Sequence, residues 1–244
     1  MKTLRTGLLT ILSCAGIASL HAQTADEIVS KHIAAIGGKT ALASMKSLYI
    51  EGIMEVMGTE VPDTTWIVYG KAFKNYVNFN GQEIIQVATE KGGWMVNPMA
   101  GAPTPTEMPA EQANISKGRF DPAGISGPLV DYASKGVKVE YEGKDTAGGV
   151  TNYKLKATTK ENVVIEYFID AKTYNVSKAV TKVTAEGQEV ETTIAYSDYK
   201  KLDNGFPLSY SQQITLPQIT LTLTHKKVEL NKTIDPAIFE MPKN

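Results

Sequence analysis

The stretch Ile219-Thr220-Leu221-Thr222-Leu223-Thr224, near the end of the 244-residue chain, is the clearest signal of the fold. Apolar and hydroxyl-bearing side chains alternate along it with a period of two, which is typical of a strand that buries one face. Leu208 to Ile214 precedes it with the same β-forming character, after the turn signal Asp203-Asn204-Gly205. This arrangement predicts neighbouring antiparallel strands joined by short turns.

The same signals continue toward the beginning of the chain. In its second half, β-forming segments separated by turn residues lie at 137–141, 153–157, 163–169, 176–183 and 189–199. In its first half, they lie at 48–56, 64–72, 76–79, 83–88 and 93–96, with the hairpin signal Asn80-Gly81 between two of them. Because the strands arrive at intervals punctuated by turns, the sequence predicts one antiparallel meander.

Two helices are predicted ahead of the strands. Thr24-Ala25-Asp26-Glu27 is a capping box, in which the hydroxyl and the glutamate satisfy free amides at a helix start. An apolar stripe follows from Val29 to Ile36, and Gly37-Gly38 ends the helix. A second short helix is expected from Lys39 to Met45.

The segment 98–134 has a different character from the strands around it. Six of the eleven prolines lie between Pro98 and Pro128. Ala110–Lys117 and Ser126–Ser134 are predicted to be short helices. We therefore expect a loop-and-helix insertion between two blocks of strands, and segments of this kind often serve as lids or binding loops.

The first 22 residues have the pattern of a secretory signal peptide. Lys2 and Arg5 give a positive start, residues 7–20 are mostly apolar and uncharged, and Ala22 is a small residue at the expected cleavage point. Cleavage after Ala22 predicts a periplasmic protein without cysteine, which excludes disulfides and cysteine-based metal sites. The alternative is lipoprotein processing at Cys14, which would anchor the chain to a membrane.

Composition and motifs exclude several functional classes. The chain is 42% hydrophobic and 21% charged with a formal net charge of −1, and it has no basic stripe that would suggest nucleic-acid binding. It lacks the common hydrolase, phosphate-loop, zinc-protease and calcium-loop motifs. His32 and His225 are far apart in sequence and have no other metal-ligand residues spaced around them. We therefore expect a protein that is not an enzyme and needs no metal or cofactor.

The first half of the chain is rich in residues that suit an adaptable apolar surface. Six of the seven methionines after Ala22 lie there, five of them between Met54 and Met108, together with both tryptophans. Core packing is one interpretation, and an apolar cavity closed by the insertion is the other. The predicted cavity residues are Ile50, Met54, Trp66, Val68, Trp94, Met95, Met99 and Met108. Trp94 and Met95 point to opposite faces of a regular strand, and Trp94 is the one predicted to line the cavity.

Arg119 is the only arginine after Ala22, and it lies within the insertion beside Phe120. A guanidinium has a planar fork of donors that can clamp a carbonyl or carboxylate, which lysine lacks. Arg119 is therefore a candidate for holding the insertion closed, and a solvated charge on a loop is the alternative interpretation.

Four segments, taken in order, resemble a known family. They are Trp94-Met95-Val96-Asn97-Pro98 before the insertion, the hairpin beginning at Val163 to Asp170, Tyr199 with Asp203-Asn204-Gly205-Phe206-Pro207, and the closing segment from Asp235 to Pro242. Together they are similar to the LolA/LolB-like periplasmic lipoprotein-carrier superfamily, of the outer membrane lipoprotein-sorting type. The similarity covers nearly all of residues 24–242.

The resemblance implies a mainly β fold with one domain over residues 23–244. Its single, strongly curved antiparallel sheet would form an open half-barrel, with an N-terminal helix and lid helices on the concave face. Acyl chains of lipoproteins, or another lipid, would bind there to a monomeric carrier that meets a membrane protein partner. Tyr69 or Lys71 stands where the family has an arginine that closes the lid. The alternative function is an envelope interaction module that uses the same fold without a lipid.

Overall fold

The computed structural model describes residues 24–147, 149–185 and 188–242. The predicted signal segment and Cys14 lie outside these ranges. Within them the chain forms thirteen strands and four α-helices. The strands are β1 (Ser47–Val56), β2 (Thr59–Val68), β3 (Ala72–Phe79), β4 (Gln82–Thr89), β5 (Gly92–Asn97), β6 (Ala102–Glu107), β7 (Lys138–Ala147), β8 (Val150–Thr158), β9 (Val164–Asp170), β10 (Val176–Ala185), β11 (Gln188–Lys201), β12 (Pro207–Thr215) and β13 (Thr220–Leu230). The helices are α1 (Ala25–Ala35), α2 (Gly38–Ser44), α3 (Ala110–Lys117) and α4 (Tyr132–Lys135).

All thirteen strands belong to one antiparallel sheet that does not close into a barrel. Its order is β6-β5-β4-β3-β2-β1-β13-β12-β11-β10-β9-β8-β7. The sheet therefore consists of two meanders, β1–β6 and β7–β13, that are joined where the first strand pairs with the last. The predicted single antiparallel sheet and curved, mainly β fold are confirmed. The expectation of one continuous meander is corrected to two, because β6 and β7 lie at opposite edges of the sheet.

This strand order explains why the insertion covers one face of the sheet. β6 and β7 form opposite edges, so the chain between them must travel from one edge to the other. Twelve steps of about 4.8 Å would separate those edges by roughly 58 Å in a flat sheet. Curvature shortens this path, and the crossing segment lies on the concave face, which we call the inner face.

Part of the segment expected to be loop and helix is in fact the edge strand β6. Thr106 and Glu107 pair with Met95 and Trp94 of β5. The prolines in this segment argued against a strand in the sequence. Proline is tolerated in an edge strand, because the side of the strand that faces solvent needs no amide hydrogen to bond to a neighbouring strand. The helix predicted at Ala110–Lys117 is present as α3.

Two further boundaries differ from the sequence prediction. The segment 64–72 was expected to be one strand, but it contains the end of β2, a turn with Gly70 at φ 74°, and the start of β3. The helix expected at 126–134 is divided into a 3-10 helix at Gly124–Leu129 and the short α4. Pro128 inside this segment has no amide hydrogen, so it cannot donate the backbone hydrogen bond that a continuous α-helix requires.

On the inner face of β7–β10, α1 and the insertion pack against the sheet. The N-cap predicted at Thr24 is confirmed, since Thr24 Oγ1 accepts a hydrogen bond from the Glu27 amide at 3.2 Å. Ile28 of α1 and Leu129 of the insertion pack with Leu155 and Tyr167 of the sheet, and all four are 0% exposed. We call this region, the inner face of β7–β10 with α1, the filled half.

The opposite, outer face is covered in part by the C-terminal strap, residues 231–242. Phe239 of the strap packs with Trp94, Val87 and Ala72. The Trp94 indole Nε1 donates a hydrogen bond to the Phe239 carbonyl at 2.9 Å. The strap therefore closes an apolar cluster on the face that the insertion does not touch.

Candidate functional site: an open hollow on the inner face

The middle strands carry an apolar row that none of the helices in the described residues buries. Val56, Leu221, Ile214, Ile194 and Ala179 are in register across β1, β13, β12, β11 and β10. Residues that are paired in register share one face of a sheet. Five adjacent strands span about 19 Å. Ala179 is buried, but the other four side chains are only half-buried, so this row is open to solvent along most of its length.

A second row lies beside the first and is closer to the insertion. Val61, Met54, Leu223, Gln212 and Tyr196 are in register across β2, β1, β13, β12 and β11. Val61 is buried, and the other four are half-buried. Because Gln212 and Tyr196 carry polar groups, the surface changes from apolar to mixed as it approaches the insertion. We call the space over these two rows the open hollow.

The end of the open hollow that lies away from the insertion is at the hairpin between β1 and β2. Met57 occupies this turn with a φ of 49° and is 87% exposed. It directly follows Val56, the first residue of the apolar row. The hollow therefore reaches the protein surface at an apolar edge.

The end of the open hollow that lies toward the insertion is polar. Asp63 of β2 is 7% exposed, and its Oδ1 accepts a hydrogen bond from Asn75 Nδ2 at 2.6 Å. The same amide nitrogen also donates to Thr65 Oγ1 at 3.0 Å. Burial raises the pKa of the Asp63 carboxyl, while the Asn75 hydrogen bond and the charge of Arg119 act in the opposite direction.

Arg119 lies over this polar end, next to Phe120, which packs into the core of β1–β4. Its guanidinium carbon is 5.1 Å from the centre of the Phe73 ring. Its charge also acts on Asp63 of β2 and on Tyr196 of β11, although these strands are four positions apart in the sheet. Four strand spacings amount to about 19 Å, so Arg119 lies over the inner face between β2 and β11.

Arg119 is partly desolvated by the protein and is also accessible to water. Surrounding protein lowers the pKa of its guanidinium through desolvation, yet its side chain is exposed. The two observations agree if many protein atoms surround the group while water still reaches it.

His225 adds an unsatisfied polar atom near the same end. It pairs with Gly52, whose other neighbour in register is Asp63. Its Nδ1 is buried without a hydrogen-bond partner, and its ring lies edge-on to Tyr210 at 6.0 Å. Burial lowers the pKa of the imidazole, which favours the neutral form.

Hydrogen bonds to both halves of the sheet and to α1 hold the insertion in place. The Phe120 carbonyl accepts from the Gly70 amide at 2.9 Å, and the Ile125 carbonyl accepts from the Tyr167 hydroxyl at 2.8 Å. Ser126 Oγ is 2.9 Å from Nε2 of His32, whose Nδ1 donates to the Tyr174 carbonyl at 2.7 Å. The insertion is therefore a plug that is attached on each side of the open hollow.

The structure divides the predicted cavity residues between the two faces. Met54, Ile50 and Met95 lie on the inner face by register, and Met108 is buried beside α3 with its Sδ 3.9 Å from Ser116 Oγ. Trp94, Trp66 and Val68 belong to the outer cluster under the strap. Met99 is 63% exposed in a turn.

This division corrects the expectation of one cavity that contains both Trp94 and Met54. Alternation along β5 places Met95, rather than Trp94, on the inner face, and the strap then buries Trp94 on the outer face. A role in ligand binding stays a prediction for the inner-face residues of the set.

The three residues expected at the lid are also separated. Tyr69 packs against the cores next to Phe120 and α2, and burial raises the pKa of its hydroxyl. Lys71 is exposed in the turn between β2 and β3. Of the three, Arg119 is the one whose charge acts across the open hollow.

The sequence interpretation did not select most of the residues that line the open hollow. The Leu-Thr alternation of β13 was visible, and it correctly indicated a strand with one apolar face. It did not show that this apolar face stays uncovered, because coverage depends on where α1 and the insertion pack.

The described part of the chain offers neither a metal-binding cluster nor a membrane-spanning helix. No group of three or more His, Cys, Asp or Glu residues there could hold a metal ion. None of the helices described is long and apolar enough to cross a bilayer.

Comparison with known proteins shows the fold. No family model and no curated protein matches this sequence. Among solved structures, a DUF1329 family protein from Desulfovibrio piger is 12% identical with a TM-score of 0.59, over 90% of this chain and 98% of that one. A LolA superfamily protein from Nitrosomonas europaea is 11% identical with a TM-score of 0.57, over 90% of this chain and 98% of that one.

A third structure supports the same conclusion. A protein described as an outer membrane lipoprotein-sorting domain, from Vibrio parahaemolyticus, is 13% identical with a TM-score of 0.53, over 88% of this chain and 95% of that one. At these identities the similarity concerns the fold. The chain has the LolA-like fold that its sequence motifs resembled.

Proposed function

We propose that this protein binds and carries acyl chains of lipoproteins or of another lipid in the cell envelope. The observation that supports this most directly is the pair of adjacent rows in the open hollow, in which apolar side chains remain half-buried across the middle strands. Water contact with such a surface costs about 25 cal/mol per Å² of apolar area, and an acyl chain would remove that cost.

The expected free energy of acyl-chain binding suits a carrier that must also release its ligand. Each buried methylene contributes about 0.8 kcal/mol, so about ten of them contribute roughly 8 kcal/mol. Loss of translational and rotational freedom offsets about 4 kcal/mol or more of this gain. Binding of a single chain would therefore be reversible, and no catalytic group or cofactor is required.

The proposed location is the periplasm, reached through the signal peptide that the first 22 residues predict. An envelope location is consistent with the LolA-like fold and with the similarity to a lipoprotein-sorting domain. In this proposal the protein acts as a monomer and exchanges its ligand with a membrane or a membrane protein partner.

A second candidate is an interaction module that uses the fold without a lipid. The fixed plug favours it, because Tyr167 and Gly70 hold the insertion from both sides of the sheet. This candidate predicts that purified protein carries no lipid and that apolar probes do not bind.

A probe titration with a matched pair of variants tests the proposal. The probe is the methyl ester of 11-(dansylamino)undecanoic acid, an uncharged acyl chain whose fluorescence rises in an apolar site. Ile214→Trp fills the open hollow, and Ile53→Trp places the same bulk on the outer face of β1, since Ile53 alternates with Met54. We expect Ile214→Trp to weaken binding about tenfold or more, which corresponds to about 1.4 kcal/mol.

The control should bind the ester with nearly the affinity of the wild type. Native mass spectrometry of the protein purified from the periplasm would add the mass of any bound lipid. Absence of both probe binding and co-purifying lipid would contradict the carrier proposal and favour the interaction module.

A further inference from the structure

Arg119 has a charged group that the described part of the chain leaves without a close partner. Its guanidinium offers five N–H donors. No hydrogen bond and no ion pair within 4.0 Å engages them in the described residues. Its side chain is nonetheless held over the sheet, with Phe73 below it. A cation–π contact at this distance holds the guanidinium near the ring without using its N–H donors.

The surrounding charges do not balance this guanidinium at close range. Asp63 acts on it through space, but the Asp63 carboxylate is engaged by Asn75 at 2.6 Å. Tyr196, on the other side, contributes a neutral hydroxyl, because burial raises its pKa. An oxyanion from a ligand would supply the bidentate partner that the protein does not provide.

The position of Arg119 relative to the apolar rows indicates the kind of ligand. Tyr196, which lies within the field of Arg119, belongs to the same row as Leu223 and Met54. The next row is the apolar one that leads to Val56 and the exposed Met57. The hollow therefore has a cationic end and an apolar end, which matches an amphiphile with an anionic head and one apolar tail.

We propose that Arg119 binds the oxyanion headgroup, a carboxylate or a phosphate, of a single-chain lipid whose tail lies across Leu223 and Leu221. The inference rests on the proposed acyl-chain function and adds the headgroup class to it. Arg119 selects the ligand by charge, and the apolar rows supply most of the affinity.

A pair of probes that differ only in the headgroup tests this assignment. They are 11-(dansylamino)undecanoic acid, which is ionised at neutral pH, and its uncharged methyl ester. Wild-type protein should bind the acid about tenfold more tightly than the ester at low ionic strength. The preference should shrink as salt is added, because screening weakens an attraction at a site that water reaches.

Three variants identify the residue responsible. Arg119→Gln should reduce the preference for the acid to less than about twofold, with most of the lost affinity in binding of the acid. Arg119→Lys should keep part of the preference, since it keeps the charge and loses the planar fork. Lys117→Gln, which removes a neighbouring charge of the same insertion, should behave like wild type.

Each result has a definite meaning for the two proposals. Equal binding of acid and ester by the wild type, or a preference that survives in Arg119→Gln, would overturn the headgroup assignment and leave the acyl-chain proposal standing. Binding of neither probe would overturn both. Inorganic phosphate should not displace the acid, and displacement at similar concentrations would make Arg119 a free-anion site instead of a lipid site.

Discussion

The filled half and the open hollow belong to one sheet, but their apolar side chains differ in how completely they are buried. In the filled half, Leu155, Tyr167 and Ile169 are 0% exposed because α1 and Leu129 cover them. In the open hollow, Leu221 and Ile214 have the same apolar character and remain half-buried. The first region stabilises the fold, whereas the second, in the proposed function, keeps an apolar surface available for a ligand.

The largest expected difference between the two regions concerns their leucines. Leu155→Ala should lower the free energy of unfolding by about 3 kcal/mol, because it leaves a cavity in a core that cannot easily collapse. Leu221→Ala should lower it by less than about 1 kcal/mol, since water already reaches that side chain. Urea denaturation of both variants measures this, and equal losses would remove the distinction between the two regions.

His32 and His225 are expected to differ in how strongly they make the free energy of unfolding depend on pH. Burial lowers the pKa of His32, so the unfolded chain binds a proton more readily than the folded chain. The stabilising contribution is complete above the ordinary pKa of about 6.5 and is lost as the pH falls from there to the lowered value. The free energy of unfolding should thus decrease below about pH 6.5, with a slope of up to roughly 1.4 kcal/mol per pH unit.

Denaturation curves between about pH 5 and about pH 7.5 check this expectation. His32→Gln should flatten the pH dependence strongly, because His32 is 1% exposed and bonded to Tyr174 and Ser126. His225→Gln should flatten it less, since His225 is only half-buried in the open hollow. An unchanged slope in His32→Gln would show that this histidine does not control the acid sensitivity.

The smallest expected effect separates the outer face from the open hollow. Trp94→Phe keeps an aromatic ring under the strap but removes the donor to the Phe239 carbonyl. Stability should fall by about 1 kcal/mol, the usual cost of leaving a buried acceptor unpaired. Binding of the dansyl ester should stay unchanged, and a clear loss of probe affinity would place the ligand on the outer face.

Local sequence patterns predicted the parts of the fold that depend on neighbouring residues. The N-cap at Thr24, the helix α3 and the alternation in β13 were all recognisable, because each depends on hydrogen bonds or side-chain spacing within one element. The Thr64–Ala72 segment was misjudged because β-forming residues continue through the turn at Gly70, which interrupts the strand.

The site itself depends on contacts between distant segments, which the sequence did not reveal. Pairing of β1 with β13 brings Val56 beside Leu221, although 165 positions separate them. The strap buries Trp94 on the outer face through Phe239, and no local sequence pattern predicts this contact between residues far apart in the chain. Arg119 was noticed only as the lone arginine, and its place over Phe73 follows from the crossing of the insertion between the two sheet edges.

The most direct test of the account is to find which face of the sheet a bound acyl chain touches. Wild-type protein would be irradiated with a fatty acid that carries a photoreactive diazirine on its tail, and the labelled peptides would be identified by mass spectrometry. The account predicts labels on β12 and β13, centred on Ile214 and Leu221. Labels confined to Trp94 and the strap around Phe239 would contradict it, because they would place the acyl chain on the outer face.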